Sequence, residues 1–388
     1  MRIAYVCTDP GVPVFGAKGA SVHVQEVLRV LVGRGAEVEL FCVRTGGAGP
    51  GDLAGVRVHE LPLEPSRDPV TRELAAMRAD AALARAVAAR GGFDLVYERY
   101  ALWGRSAMPL ARAMGVPGVL EVNAPLVEEQ ERYRGLVHRS AAVESARTAL
   151  GAAAAVVAVS DPVAAWARGH GARAVHVVPN GVDVARVRPA PAEPAGPFTV
   201  GFVGTVKRWH GLDTLLDAFR LLCESGPARL LIVGDGPEAG RLAERAAALG
   251  LAARTELTGA LPPSQVPALL HRMHAAVAPY PPADSALGSY FSPLKIYEYL
   301  AAGLPVVATE VGQAAQIITH GTDGLLSPPG DAEALAGALA RLRADAPLRA
   351  RLGAAARRTA VRRHGWDRTV DRSLAAAGLR LGRRVRAA

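Results

Sequence analysis

The chain carries 45 lysine and arginine side chains, only three of them lysine, and each lysine stands where a loop could hold phosphate. Lys18 lies in the turn Gly16-Ala17-Lys18-Gly19 that follows the first strand pattern. Lys207 leaves another strand pattern through Gly204-Thr205-Val206-Lys207-Arg208-Trp209-His210-Gly211. Lys295 opens a helix pattern in Ser292-Pro293-Leu294-Lys295-Ile296-Tyr297-Glu298. Lysine offers a compact ammonium on a flexible stem. Phosphates are held by such point charges together with backbone N–H groups at helix starts. Lysine is also mostly exposed in any protein, so location alone does not separate a phosphate site from three surface lysines.

The Lys295 segment has the most internal detail. Pro293 suits a first helical turn, where its missing N–H costs nothing. Ser292 is then the expected N-cap, and the free N–H groups of Leu294 and Lys295 an expected anion site. Glu298, one turn in, can accept from a ribose diol or pair with Lys295 at i to i+3, which is worth only tenths of a kcal/mol. His23, one turn into the first helix pattern and close to the Gly16–Gly19 turn, is either a packed histidine or a polar group converging on a cleft. His210 has the same two readings. Glu128, Glu129 and Glu131 follow Asn123-Ala124-Pro125 after a strand pattern; they read as a site for a cationic or polyhydroxyl acceptor or as a charged helix face. No Asp-x-Asp, no Gly-x-Ser-x-Gly and no Walker loop occurs. The expectation is therefore no metal and no cofactor.

Around these residues the chain must supply two domains, since 388 residues exceed the size at which one core stops growing. Apolar runs at 3–7, 38–43, 56–61, 95–97, 118–122, 154–159 and 175–178 alternate with amphipathic stretches such as 20–32, the pattern of buried parallel strands in βαβ units. After the proline-rich stretch 188–197, read as the linker, the alternation restarts at 199–203, 230–233, 255–257, 275–278, 305–308 and 324–327. The expected architecture is α/β: a domain over 1–186, a second over 187–365, and a final helix with a basic tail over 366–388. Ligands bind outside the carboxyl ends of such strands, where all three lysines fall, so a cleft shared by two sheets is expected.

Residues 341–388 hold fourteen arginines against three aspartates, while the chain as a whole carries +9. Leu342, Leu348, Leu352 and Val361 interleave with those arginines at helical spacing, which favours a solvated helix face over nucleic acid or a membrane surface. Cys7, Cys42 and Cys223 lack metal-ligand spacing. With no signal-peptide pattern and no long apolar run, a cytoplasmic protein is expected.

Val178-Pro179-Asn180-Gly181-Val182-Asp183, Phe202-Val203-Gly204, Val233-Gly234-Asp235-Gly236-Pro237 and the run from Lys295 through Glu298 to Ala308 resemble the retaining family 4 glycosyltransferases, over nearly the whole chain. That resemblance implies the GT-B fold, two Rossmann-like domains with a final helix crossing back to the first. It implies a nucleoside diphosphate sugar on the C-terminal domain and an acceptor on the N-terminal one. By the same resemblance Glu298 holds the ribose, and Leu294 and Lys295 the diphosphate. Ala260 and Leu261 receive the base, and Gly16, Lys18 and Gly19 close on the diphosphate. The family's basic pair after the second domain's first strand falls at Thr205 and His210, beside Gly204, so Lys207, Arg208 and Lys295 are expected to supply the charge. The first acid of the family's Glu-x7-Glu falls at Tyr290, and the N-terminal catalytic position at Asn123, with His23 nearby.

Tyr97-Glu98-Arg99-Tyr100, Glu121-Val122-Asn123-Ala124-Pro125 and Trp209-His210-Gly211 are similar to actinobacterial enzymes, among them those that glycosylate aminocyclitols such as 2-deoxystreptamine in aminoglycoside antibiotic assembly. The implied function is retaining, metal-independent transfer of a hexose or N-acetylhexosamine. UDP-GlcNAc or UDP-glucose is the favoured donor, and a small aminocyclitol, met by Glu98, Glu128 and Glu129, the acceptor. The rivals are a lipid or inositol-type acceptor approached through the basic tail, a nucleotide-sugar epimerase, and a nucleic-acid binder.

Overall fold

The computed structural model describes residues 1–282 and 289–382. They form two compact units: one of Met1–Asn180, Tyr290–Ser292 and the chain from Trp366, the other of Gly181–Ser289 and Pro293–Gly365.

The first unit is built on seven parallel strands, β1 (Arg2–Cys7), β2 (Glu37–Cys42), β3 (Arg57–Glu60), β4 (Leu95–Arg99), β5 (Gly118–Val122), β6 (Ala155–Ala158) and β7 (Val175–Val177), in the order β3-β2-β1-β4-β5-β6-β7. Helices cover both faces of an all-parallel sheet, which is why β1, β4, β5 and β6 are buried along nearly their whole length. The strand order reverses between β1 and β4, where register sets Val6 beside Glu98 and Cys7 beside Arg99. Two helices of this unit pack together: Gly19–Gly33, which buries Val24, Val27, Leu28 and Leu31, and Trp366–Ala376. Arg34 and Asp371 pair across them at 2.8 Å.

The second unit repeats the plan with β8 (Phe198–Val203), β9 (Ala228–Val233), β10 (Thr255–Leu257), β11 (Ala275–Ala278), β12 (Val306–Thr309) and β13 (Leu325–Ser327) in the order β10-β9-β8-β11-β12-β13. Its reversal lies between β8 and β11. Leu215, Leu216, Phe219 and Leu222 recur at helical spacing on Leu212–Glu224 and join the core with Leu335, Leu339 and Leu342 of Ala332–Ala344.

The proline-rich stretch expected as a linker is tied into the second unit, whose boundary falls at Gly181. Arg357 donates to the carbonyls of Val184, Val187 and Ala301, and Arg349 pairs with Glu193 at 2.6 Å. Several arginines of the basic segment serve as such braces: Arg343 reaches Leu222 and Ser225, Arg351 the Gly321 carbonyl, and Arg372 that of Val177. Arg383, Arg384 and Arg386, part of the basic tail read from the sequence, lie outside the described residues. No described helix is long and apolar enough to cross a membrane.

Candidate functional site

In the second unit three loops leave the carboxyl ends of β8, β9 and β10 and lie against one another through glycine. Gly204 donates to the Val233 carbonyl and Val206 to that of Asp235. A Cβ on Gly234 would stand 2.1 Å from the Gly204 carbonyl oxygen, and one on Gly236 2.3 Å from that of Val206. Gly234 in turn bridges Gly259, just before Ala260 and Leu261. The Gly-rich turn after β9 thus packs the neighbouring loop closely. It brings Gly204, exposed Thr205 and Ala260 to one edge of the sheet.

The helix Leu294–Ala301 is anchored to that edge by Tyr299, whose buried hydroxyl accepts from the Val203 N–H at 2.7 Å. One turn earlier this directs Lys295 between rings at the β8/β11 reversal. Its Nζ lies 4.0 Å from the ring centre of Phe202 and 5.3 Å from that of Tyr280. A Cβ on Gly204 would sit 3.1 Å from it. The residue is 8% exposed, and the amine has no hydrogen-bond partner among the described residues. Burial, only partly opposed by Glu298, brings its pKa down to about 7.

His210 donates from Nδ1 to the Thr205 carbonyl at 2.6 Å, since a carbonyl can only accept. Burial first, then Lys295, hold its pKa down at about 2. It is a neutral ring there. Lys207 lies 4.6 Å over the Trp209 ring, and Arg208 is exposed. Leu294 and Glu298 are half-buried on the helix of Lys295. Ser292 does not cap that helix, a correction to the expected N-cap: Pro293 holds the cap position without a side-chain bond. Packing redirects the serine. Its hydroxyl accepts from the Asn180 N–H at 3.1 Å and its carbonyl from the Asn180 side chain at 2.9 Å. Leu287 and Gly288, in the approach to this helix, lie outside the described residues.

In the first unit the polar residues gather on Glu121, which sequence reasoning did not single out. Its Oε1 lies 2.6 Å from His23 Nε2 and accepts from Asn123 Nδ2 at 2.6 Å and Arg99 Nη1 at 3.3 Å. Its Oε2 accepts from the Tyr97 hydroxyl at 2.6 Å. Burial alone would raise this carboxyl, but His23, Arg99 and Tyr97 bring it down to about 2. Trp366 meets His23 edge-on at 4.8 Å. The signal was present as alternation, because Tyr97 and Arg99 share one strand face, as do Glu121 and Asn123.

Gly16 closes a turn on the Pro13 carbonyl, and Gln25 Nε2 donates to the Val14 and Gly16 carbonyls, both at 2.9 Å. This leaves Lys18 and Gly19 exposed. The acids expected to meet an acceptor are mostly engaged. Glu128 accepts from Trp166 Nε1 at 2.8 Å, Glu129 from the Tyr290 hydroxyl, and Glu131 from Arg139. Glu98 is 0% exposed, under Gly104, with neither oxygen bonded among the described residues and burial raising its pKa well above the carboxylate range. Direct contact with an acceptor does not fit that position. Among the described residues no group of three His, Cys, Asp or Glu side chains is arranged to hold a metal ion.

Residues 17–186 match the profile of Glycosyltransferase Family 4, and residues 197–345 that of Glycosyl transferases group 1. The chain is 30% identical over 387 residues to the D-inositol 3-phosphate glycosyltransferase of Xylanimonas cellulosilytica, spanning 90% of this chain and 89% of that one. It is 31% identical over 278 residues to the 2-deoxystreptamine glucosyltransferase of Streptomyces kanamyceticus, spanning 65% and 68%. Among solved structures it resembles Anabaena HepE in complex with UDP and glucose, with a TM-score of 0.72 at 20% identity over 97% of this chain and 98% of that one.

Proposed function

We propose that this chain, which belongs to glycosyltransferase family 4 and has its GT-B fold, transfers a hexosyl or N-acetylhexosaminyl group from a UDP-sugar to a hydroxyl of a small cyclitol, with retention and without a metal. The observation that carries the donor half is the buried Lys295 amine, without a hydrogen-bond partner among the described residues, beside Gly204 at the β8/β11 reversal. In an open parallel sheet that is where a phosphate-bearing ligand is received. In this reading the diphosphate lies along Gly204, Thr205 and the first N–H groups of the Leu294–Ala301 helix, with Glu298 on the ribose and Ala260 and Leu261 by the base. As the bond to the sugar breaks, charge grows on the departing phosphate. Lys295, Lys207 and Arg208 stabilise it, the kind of preorganised electrostatic term that dominates many enzymes. The departing phosphate takes the acceptor's proton, so no side-chain nucleophile is required.

The first unit supplies the acceptor site, with Asn123 and His23 on Glu121 near its centre. Two relatives carry inositol phosphate and 2-deoxystreptamine in their names, and both compounds are cyclitols. The carboxylates Glu128 and Glu129 favour the amine-bearing one, because their bonds to Trp166 and Tyr290 come from neutral donors and leave the negative charge in place. The test is calorimetric titration with UDP, GDP and dTDP, followed by turnover of UDP-glucose and UDP-GlcNAc with 2-deoxystreptamine, inositol or inositol 3-phosphate. Products are read by mass and by the anomeric coupling constant, with and without a chelator. Selective UDP binding and an α-linked amine-cyclitol product are expected. No nucleotide binding, or transfer with inversion, would sink the reading, and preference for the phosphorylated acceptor would reverse the acceptor assignment.

A further inference from the structure

Lys295 lies against two ring faces, and among the described residues no counter-ion is hydrogen-bonded to it. An ammonium there carries three N–H donors, and none finds an acceptor among the described residues. Burying a charge without hydrogen bonds is costly, and the ring faces of Phe202 and Tyr280 return only a small part of that cost. The neighbouring elements contribute little more. Tyr299 commits its hydroxyl to the Val203 N–H, and His210 commits Nδ1 to the Thr205 carbonyl. Lys207 and Lys295 both oppose charge on His210, which places like charges around this loop, and Glu298 on the same helix is the acid that favours the ammonium. A nucleoside diphosphate would bring both the missing negative charge and the missing acceptors.

Resting on the donor site proposed above, we infer that Lys295 stands as a neutral amine in the ligand-free protein and takes up one proton from solution as the diphosphate binds. The charge on this one group is then created by the ligand that needs it, beside the neutral ring of His210. Burial holds the free amine near pKa 7, so the window is set. At pH 8 the amine is about nine-tenths neutral and uptake is about 0.9 of a proton; at pH 6 it is already charged and uptake is about 0.1. Donor affinity accordingly falls about tenfold per unit as pH rises above 7.

The experiment is calorimetric titration of the full chain with UDP-glucose at pH 6 and pH 8, each in buffers of high and low ionisation enthalpy. UDP-glucose is chosen because its diphosphate has no terminal phosphate monoester to titrate near pH 6. The slope of apparent enthalpy against buffer ionisation enthalpy counts protons. Lys295→Arg, which cannot lose its charge, is expected to bind with zero slope and a flat pH profile. Lys295→Met is expected to bind about 10- to 100-fold more weakly at pH 6, again with zero slope. Binding with no proton uptake at pH 8 overturns the inference and leaves the donor site standing. Uptake that survives Lys295→Met and disappears in His210→Asn moves the proton to the histidine and overturns it too. No binding of UDP-glucose, GDP-mannose or dTDP-glucose at either pH overturns the donor site itself.

Discussion

Glu121→Gln tests whether the carboxylate at the centre of the first unit holds that unit together by charge. The substitution conserves volume and leaves the backbone of β5 undisturbed. Oε1 faces His23, Asn123 and Arg99 and Oε2 faces Tyr97, so an amide nitrogen at either place confronts a donor. Tyr97 can turn its hydroxyl and accept, which makes the Oε2 side the less costly choice. Arg99 still loses its buried counter-charge, and breaking a buried pair costs roughly 3–5 kcal/mol. Linkage gives a similar figure. A carboxyl moved from 4.5 to about 2 contributes on the order of 3 kcal/mol. Its folded pKa is depressed, so this stability is fully present above pH 4.5 and is lost as pH falls toward 2.

Two units make a two-state analysis unsafe. The assay is therefore native-state hydrogen exchange of the β1, β4 and β5 amides in wild type and variant. The expected gap is about 3 kcal/mol at pH 7, closing below pH 4. Glu39, held near 2 by Arg90 and, despite burial, by His59 and Arg2, titrates in the same window in both proteins and cancels from the difference. A gap under about 1 kcal/mol at pH 7, or one that persists unchanged in acid, would refute the reasoning.

In the second unit, Gly211→Ala would place a Cβ 1.7 Å from the Pro279 carbonyl oxygen at φ 70°, so the strand-end loops must separate. At least about 3 kcal/mol of stability and most UDP-glucose affinity should be lost, as read by native-state hydrogen exchange of the second unit's strand amides and by calorimetry; wild-type affinity would contradict the placement of His210 and Tyr280. Tyr299→Phe leaves the Val203 N–H buried without its acceptor, a loss of about 1–3 kcal/mol. The donor KM should rise several-fold and the acceptor KM stay constant, whereas an equal rise in both would show a general loosening. Lys295→Met should stabilise the ligand-free protein. The wild-type amine, lowered from 10.5 to about 7, is protonated in the unfolded chain and neutral in the fold between those values, so wild-type stability rises with pH across that window. The variant's advantage at pH 7, at most about 5 kcal/mol, should vanish by pH 10.5 in chemical denaturation resolved into the second unit's own transition.

The central strands were legible because both faces of each sheet are covered, which turns a buried parallel strand into a continuous apolar run. The edge strands β3, β7 and β10, by contrast, are partly exposed and carry polar residues. That Gly204 and Lys207 follow a strand and that Lys295 opens a helix was legible, because glycine and lysine are conspicuous in an arginine-rich chain. Lateral register was not. Nothing in the sequence says that Arg99 lies opposite Glu121, which made Tyr97-Glu98-Arg99-Tyr100 look like a surface motif with Glu98 facing a ligand. In the fold the strand alternation turns Arg99 toward the hub and seals Glu98 beneath Gly104. Ser292 failed for a related reason. Its local signal as an N-cap is sound, but Asn180, distant in sequence, takes both its hydroxyl and its carbonyl.

The two units deal with buried charge in opposite ways. Glu121 is a permanent ion surrounded by permanent partners, so its network is complete without any ligand and serves to fix Asn123 and His23 in place. Lys295 is a conditional ion with no hydrogen-bond partner among the described residues, and His210 beside it is held neutral. A fixed arginine at that position would stabilise bound diphosphate at every pH but would burden the ligand-free fold with an unpaired buried charge. A titrating lysine places that burden only where donor is present to offset it. If this division holds, mutations around Glu121 act first on the stability of the first unit. Mutations around Lys295 act first on donor affinity and its pH dependence, with stability moving the other way.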